Sequence, residues 1–200
     1  MLLDQLRHEI SCKIVYYGTG LSGKTTNLKY IFSQVDPKCR GEMVTTANRS
    51  DRTLFFDLLP LDLGDINGWK LRYYLYTVPG QVQYNASRKL ILGGADAVVF
   101  VADSAPDRMD DNQESIKNLF DNMAEHNLSI EKVPVVLQFN KRDLADAMPI
   151  EKMSAELNQH NFDTYESTAS EGRGVIQTLQ GVSKALTGSI KAFWDEVRKE

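Results

Sequence analysis

Long apolar runs are missing from this chain. The longest, Ala97-Val98-Val99-Phe100-Val101-Ala102, is far too short to span a bilayer. The first residues hold no basic segment followed by an apolar one, so neither membrane insertion nor secretion is expected. No glycine follows Met1 and no cysteine lies near Val197-Arg198-Lys199-Glu200, which removes the usual myristoyl and prenyl signals. Any membrane association is therefore expected to come through partners. Cysteine is scarce: Cys12 and Cys39 fit neither a disulfide framework nor a metal spacing, and a reduced, cytoplasmic chain is expected. The scattered His8, His126 and His160 offer no cluster for catalysis or metal binding. An excess of basic residues is absent too, with 23 Lys and Arg against 27 Asp and Glu, so nothing points to nucleic acid. Nor is there a linker, repeat or low-complexity tract. With 200 residues and 42% hydrophobic content, one globular domain over residues 1–200 is expected.

What is present begins with Gly18-Thr19-Gly20-Leu21-Ser22-Gly23-Lys24-Thr25, a GxxxxGK[ST] pattern. It follows the apolar run Ser11 to Tyr17 and precedes a helix-like stretch from Thr26 to Phe32. Strand, glycine-rich loop and helix in that order make a phosphate cradle. The loop must bring several backbone N–H groups onto one anion, so Gly18, Gly20 and Gly23 stand where a Cβ would collide. Lys24 places a charge on the outer phosphates, the Thr25 hydroxyl suits the Mg²⁺ that accompanies a nucleotide, and the helix start adds its positive end. The expected phosphate contacts are Gly18, Gly20, Leu21, Ser22, Gly23, Lys24, Thr25 and Thr26.

Beyond the first helix, Asp36-Pro37 should end it, and a polar stretch from Lys38 to Arg52 reads as a mobile loop. Thr53 to Leu59 and Trp69 to Val78 read as strands joined by the hairpin signal Asn67-Gly68. Then strand and helix alternate: Ala95 to Asp103, a helical stripe through Ile116, Leu119, Phe120 and Met123, Val133 to Asn140, a helix after Pro149, and a short strand near Tyr165. Last comes a long helix in which Val175, Leu179, Val182, Leu186, Ile190, Phe193 and Val197 recur every three or four residues, with Gly181 and Gly188 weakening its later turns. This order predicts an α/β fold. Its open, mostly parallel sheet should have six strands, one antiparallel pair and helices on both faces, with ligand outside the strands' carboxyl ends.

A phosphate loop cannot tell ATP from GTP. Asn140-Lys141-Arg142-Asp143 has the NKxD form and follows the buried run Val135 to Phe139. The Asp143 carboxylate can accept from both N1–H and N2–H₂ of guanine, whereas adenine offers no such donor pair. Losing both bonds would disfavour adenine by on the order of 3–6 kcal/mol. Lys141 can lay its stem along the base, and Asn140 can tie this loop to the phosphate loop. A helix-capping role for Asp143 is the alternative.

With both motifs in hand, nearly the whole chain resembles a Ras-superfamily small GTPase. Glu166-Ser167-Thr168-Ala169-Ser170 looks like that family's last base-binding loop, which implies contacts from Thr168, Ala169 and Ser170, the Ala169 N–H meeting the guanine carbonyl. Thr77-Val78-Pro79-Gly80-Gln81 stands where the family has DxxGQ, with Thr77 replacing the aspartate and Pro79 the alanine position, and 38–53 stands where it has its first switch. Together with Lys13 to Gly18, Arg52 to Asp57 and Tyr84 to Leu92, these departures are similar to the bacterial MglA-type polarity GTPases. The resemblance implies a switch that hydrolyses GTP to GDP in cell polarity and motility, is answered by a roadblock-domain activator of the MglB kind and by polarity effectors, and gathers at a cell pole through partners.

The resemblance also distributes roles. Gln81 orients water, the Gly80 N–H reports the terminal phosphate, and Arg52 acts as an arginine finger from within the chain. Thr25, Thr53 and Thr77 are the expected Mg²⁺ ligands, with Asp57 on the paired strand a further oxygen donor. The bland alternatives are an exposed glutamine at Gln81 and a surface ion pair between Arg52 and Asp51. Two other classes stay open from the residues alone: a small phosphate-loop kinase, which would need an acceptor site and an arginine-rich lid, and a nucleotide-dependent scaffold that barely hydrolyses GTP.

Overall fold

In the computed structural model, which describes residues 1–46, 56–66 and 68–197, β2 (Glu9–Tyr17) forms the middle of the sheet. Its alternate residues serve two cores: Ile10, Cys12, Ile14 and Tyr16 point to one face, Val15 and Tyr17 to the other. A strand apolar on both sides belongs in a covered parallel sheet. β5 (Trp69–Thr77) and β6 (Ala97–Asp103) flank it in parallel, and β7 (Val135–Asn140) and β8 (Thr164–Glu166) continue beyond β6. On the other side β4 (Asp57–Ile66) runs antiparallel to β5. Helices α1 (Lys24–Gln34) and α5 (Val175–Val197) cover one face; α2 (Asn85–Leu92), α3 (Met109–Glu125) and α4 (Ile150–Leu157) cover the other.

The expected six strands become eight among the described residues, because β1 (Leu2–Asp4) adds to β2 and β3 (Val44–Thr45) to β4, both antiparallel. Runs of three and two residues are too short to show a period of two. β4 also reaches further than the predicted stop at Leu59. Pro60 is tolerated because its carbonyl, and therefore its ring nitrogen, points away from β5 toward Gly41, whose N–H donates to it at 2.9 Å. The pairing then shifts register between Asp62 and Asp65, where Gly64 takes a φ of 83°. The start of the predicted strand, Thr53 to Phe55, and Asn67 of the hairpin signal lie outside the described residues.

α5 runs unbroken through both glycines. Gly181 makes room for Tyr165, since a Cβ there would lie 2.0 Å from the phenolic oxygen, while Gly188 faces open space. The histidines pack locally: His8 stacks on Trp69, His126 contacts the Lys89 carbonyl through Nε2, and His160 meets Phe120 edge-on. Among the described residues no helix is long and apolar enough to cross a membrane. The register decides where the ligand side lies. Tyr16 pairs with Thr77, Tyr17 with Phe100 and Asp103 with Asn140, so the chain leaves four neighbouring strands at one edge.

Candidate functional site

The phosphate loop turns off β2 with backbone that only glycine accepts at two of the three expected positions; at Gly20, contrary to expectation, a Cβ would make only ordinary contact, 3.9 Å from Gln81 Cγ. At Gly18, φ is 138° and a Cβ would lie 2.2 Å from the Val101 carbonyl oxygen; at Gly23, φ is 102° and a Cβ would lie 2.1 Å from Asn140 Nδ2. Leu21 also takes a left-handed φ, 64°, and its side chain is exposed. The first N–H groups of α1 have no intrahelical partner and open toward this loop. Lys24 Nζ folds back onto the Gly18 and Thr19 carbonyls. Burial pulls the Lys24 ammonium down to about 7, buried Arg88 adds to the effect, and Asp57 opposes it.

Beside Lys24, three side chains from three elements converge. Thr25 Oγ1 donates to Asp57 Oδ2 at 2.5 Å, and Thr77 Oγ1 donates to the same oxygen at 2.9 Å. The Asp57 N–H returns a bond to Thr77 Oγ1 at 2.8 Å, as expected where the β4–β5 register pairs Leu58 with Tyr76 and sets Asp57 beside Thr77. The negative charge missing from Thr77 is thus present, delivered across the hairpin. Lys24, Thr25, Thr26, Asp57, Thr77 and Gly80 line one cleft of about 560 Å³.

Gly80 lies against the phosphate loop so closely that a Cβ would fall 2.2 Å from the Gly20 nitrogen. Gln81 follows, exposed, its Oε1 accepting from Gln83 Nε2 at 3.1 Å. Arg52 and Thr53, the other predicted members of this end, lie outside the described residues.

At the opposite end Asn140, buried at the end of β7, joins three loops. Its Nδ2 donates to the Ser22 carbonyl at 2.7 Å, and its Oδ1 accepts from Ser167 Oγ at 2.8 Å and from the Ala169 N–H at 2.9 Å. That last bond differs from the sequence expectation, which reserved the Ala169 N–H for a base carbonyl: the buried carboxamide oxygen needs a donor, and this N–H is within reach. Thr168 is buried, with Oγ1 accepting from Arg173 at 2.8 Å, while Ser170 is exposed. Asp143 is exposed on the loop that follows Asn140. Lys141 has a φ of 65° and pairs through Nζ with buried Asp103 at 2.5 Å.

The sequence assigns no site role to Asp103, Arg88 or Arg108. Arg108 Nη2 donates to the Gly20 carbonyl at 3.0 Å, and Arg88 is buried behind the cradle. Asp103 carried a usable signal, a charge closing an otherwise apolar strand beside Asn140. Arg88 carried none that periodicity could expose.

The comparisons with known proteins agree with this geometry. A family model described as the ADP-ribosylation factor family matches residues 1–186. The mutual gliding-motility protein MglA of Myxococcus xanthus (strain DK1622) is 52% identical over 183 residues, which is 92% of this chain and 94% of the relative. A GxxxxGK[ST] loop joined through Asn140 to the NKxD segment, on this sheet and with this family match and this relative, identifies the chain as a member of the ADP-ribosylation factor family, a Ras-like switch protein that binds guanine nucleotide and hydrolyses GTP.

Proposed function

We propose that this chain is a Mg²⁺-dependent GTPase switch, a single domain over residues 1–200, acting in bacterial gliding motility, as the name of its relative suggests, and in cell polarity, as the family resemblance implies. One observation carries the reading: the hydroxyls of Thr25 and Thr77 both donate to Asp57. Two hydroxyls and a carboxylate are hard oxygen donors, the set that fits Mg²⁺. Thr25, Asp57 and Thr77, with Thr53, would hold it, and when bound it offsets charge on the phosphates.

The remaining roles are proposed from the motifs and the family resemblance. Lys24 and the backbone of Gly18, Gly20, Leu21, Ser22, Gly23 and Thr26 hold the phosphates. Asp143 reads the guanine edge, Lys141 flanks the base, and Thr168, Ala169 and Ser170 close that side, with Asn140 fixing their spacing. Gly80 meets the terminal phosphate through its N–H, Gln81 orients the attacking water, and Arg52 supplies a cation to the transition state. Loss of the terminal phosphate removes the Gly80 contact and frees both switch segments, so the exposed surface changes with the nucleotide. A roadblock-domain activator of the MglB kind and polarity effectors are the partners proposed to read that change, in the cytoplasm and at a pole.

Asp57→Ala tests the metal assignment. The Mg²⁺ concentration for half-maximal single-turnover hydrolysis should rise about 10–100-fold, with preference for GTP over ATP unchanged. An unaltered Mg²⁺ requirement removes Asp57 from the shell, and ATP bound as tightly as GTP removes the guanine assignment.

A further inference from the structure

Tyr17 ends β2 one residue before the phosphate loop, fully buried in the core under α2 and α3. A phenol there needs partners, because an unpaired buried hydroxyl is costly. Its O–H donates to Asn118 Oδ1 at 2.5 Å and its oxygen accepts from Asn122 Nδ2 at 3.0 Å. Burial pushes the phenol up to about 12, so the donor proton stays in place at neutral pH. Both asparagines belong to α3, one turn apart, and both reach the same acceptor, Asn85 Oδ1, at 2.9 and 3.1 Å. Asn85 is the first residue of α2 and stands four positions after Gln81.

One phenol and three carboxamides thus connect the strand entering the phosphate loop, the middle of α3, and the helix that follows the Gln81 segment. The turn leading into α3 supplies a second hold, since Arg108 donates to the Gly20 carbonyl at 3.0 Å. Thr19, Gly20, Gly80, Gln81, Asn85 and Asn118 line a single cleft of about 380 Å³ between these holds. Apolar residues would fill the same space but impose no direction, whereas hydrogen bonds fix both distance and angle.

We infer that Tyr17, Asn118 and Asn122 are positioning residues for GTP hydrolysis: acting through Asn85, they set the place of the Gln81 segment relative to the phosphate loop. The inference rests on the reading of Gln81 as the residue that orients water. α3 is the fixed bar between the two loops, and the asparagine pair is where the second loop is fastened.

The test is a double-mutant cycle on single-turnover GTP hydrolysis, with GTP and GDP affinities measured alongside. Tyr17→Phe removes one hydroxyl, and Asn85→Ala truncates an exposed carboxamide, so either can carry the test if the other fails to fold. Each should slow hydrolysis about tenfold, leave affinity within about twofold, and give a double variant no slower than the slower single one. Wild-type rates in both single variants, fully multiplicative effects in the double, or an equal loss of affinity would each overturn the inference. Gln81→Leu, measured in parallel, separates the two readings. A wild-type rate in Gln81→Leu defeats the reading of Gln81, whereas slow Gln81→Leu with fast Tyr17→Phe and Asn85→Ala defeats the network alone.

Discussion

Asn140, on the side proposed to hold the base, is bonded to the phosphate loop and twice to the loop after β8, whereas the side chain of Gln81, on the side proposed to meet the terminal phosphate, is exposed and accepts from a neighbouring glutamine. The first arrangement is buried, so it holds one geometry with or without a change elsewhere. The second rests on a loop that touches the phosphate loop through backbone at Gly80. A switch needs both kinds of construction. Recognition must not vary between nucleotide states, while the part that reports the terminal phosphate must be able to leave.

The comparison can be broken first at its loose end. Arg52→Ala should slow single-turnover hydrolysis by ~10³ or more, the scale of an arginine finger, and Gln81→Leu should also slow it strongly, both with nucleotide affinity within a few-fold. A parallel loss of binding would show that these residues hold the ligand rather than act on it. The rigid end should fail differently. Asp143→Asn should shift preference from guanine toward xanthine by roughly 10–100-fold, since xanthine presents an acceptor where guanine presents a donor. Competition binding measures this, and unchanged discrimination would take Asp143 out of the base site.

The smallest effect concerns Lys24, which lies between the two ends. Its folded value is about 7 against an ordinary 10.5, so between those values the folded protein binds fewer protons than the unfolded one and its stability rises with pH. Phosphate favours the charged lysine and should restore its proton. Calorimetry near pH 8.5 in two buffers of different ionisation heat should find uptake of up to about one proton per GTP bound, falling toward zero below about pH 6. No uptake near pH 8.5 would mean that the lysine is already charged in the cradle.

The two ends also differed in how far sequence alone described them. The phosphate loop and NKxD are contiguous, and their chemistry is written in neighbouring residues. The Thr25, Asp57 and Thr77 constellation is scattered over three elements: the residues could be named, Asp57 only as a further donor on the paired strand, but that both hydroxyls meet one Asp57 oxygen depends on cross-strand register, which no contiguous motif records. α2 has no periodic signature for a related reason. Its buried positions include Ser87 and Arg88 alongside Ile91 and Leu92, so no apolar stripe marks it. The Tyr17 network has no signal in the sequence, because an asparagine on a helix ordinarily faces solvent, and only the packing of α3 over the end of β2 brings Asn118 and Asn122 onto the phenol.

Gly80 and Gly20 meet with only hydrogen atoms between their main chains. Close-packed backbone has no soft intermediate spacing: it either touches or separates far enough to admit water. The molecule's signal is therefore binary at its origin, and any gradation in the cellular response has to arise from how many copies occupy each setting rather than from partial displacement within one.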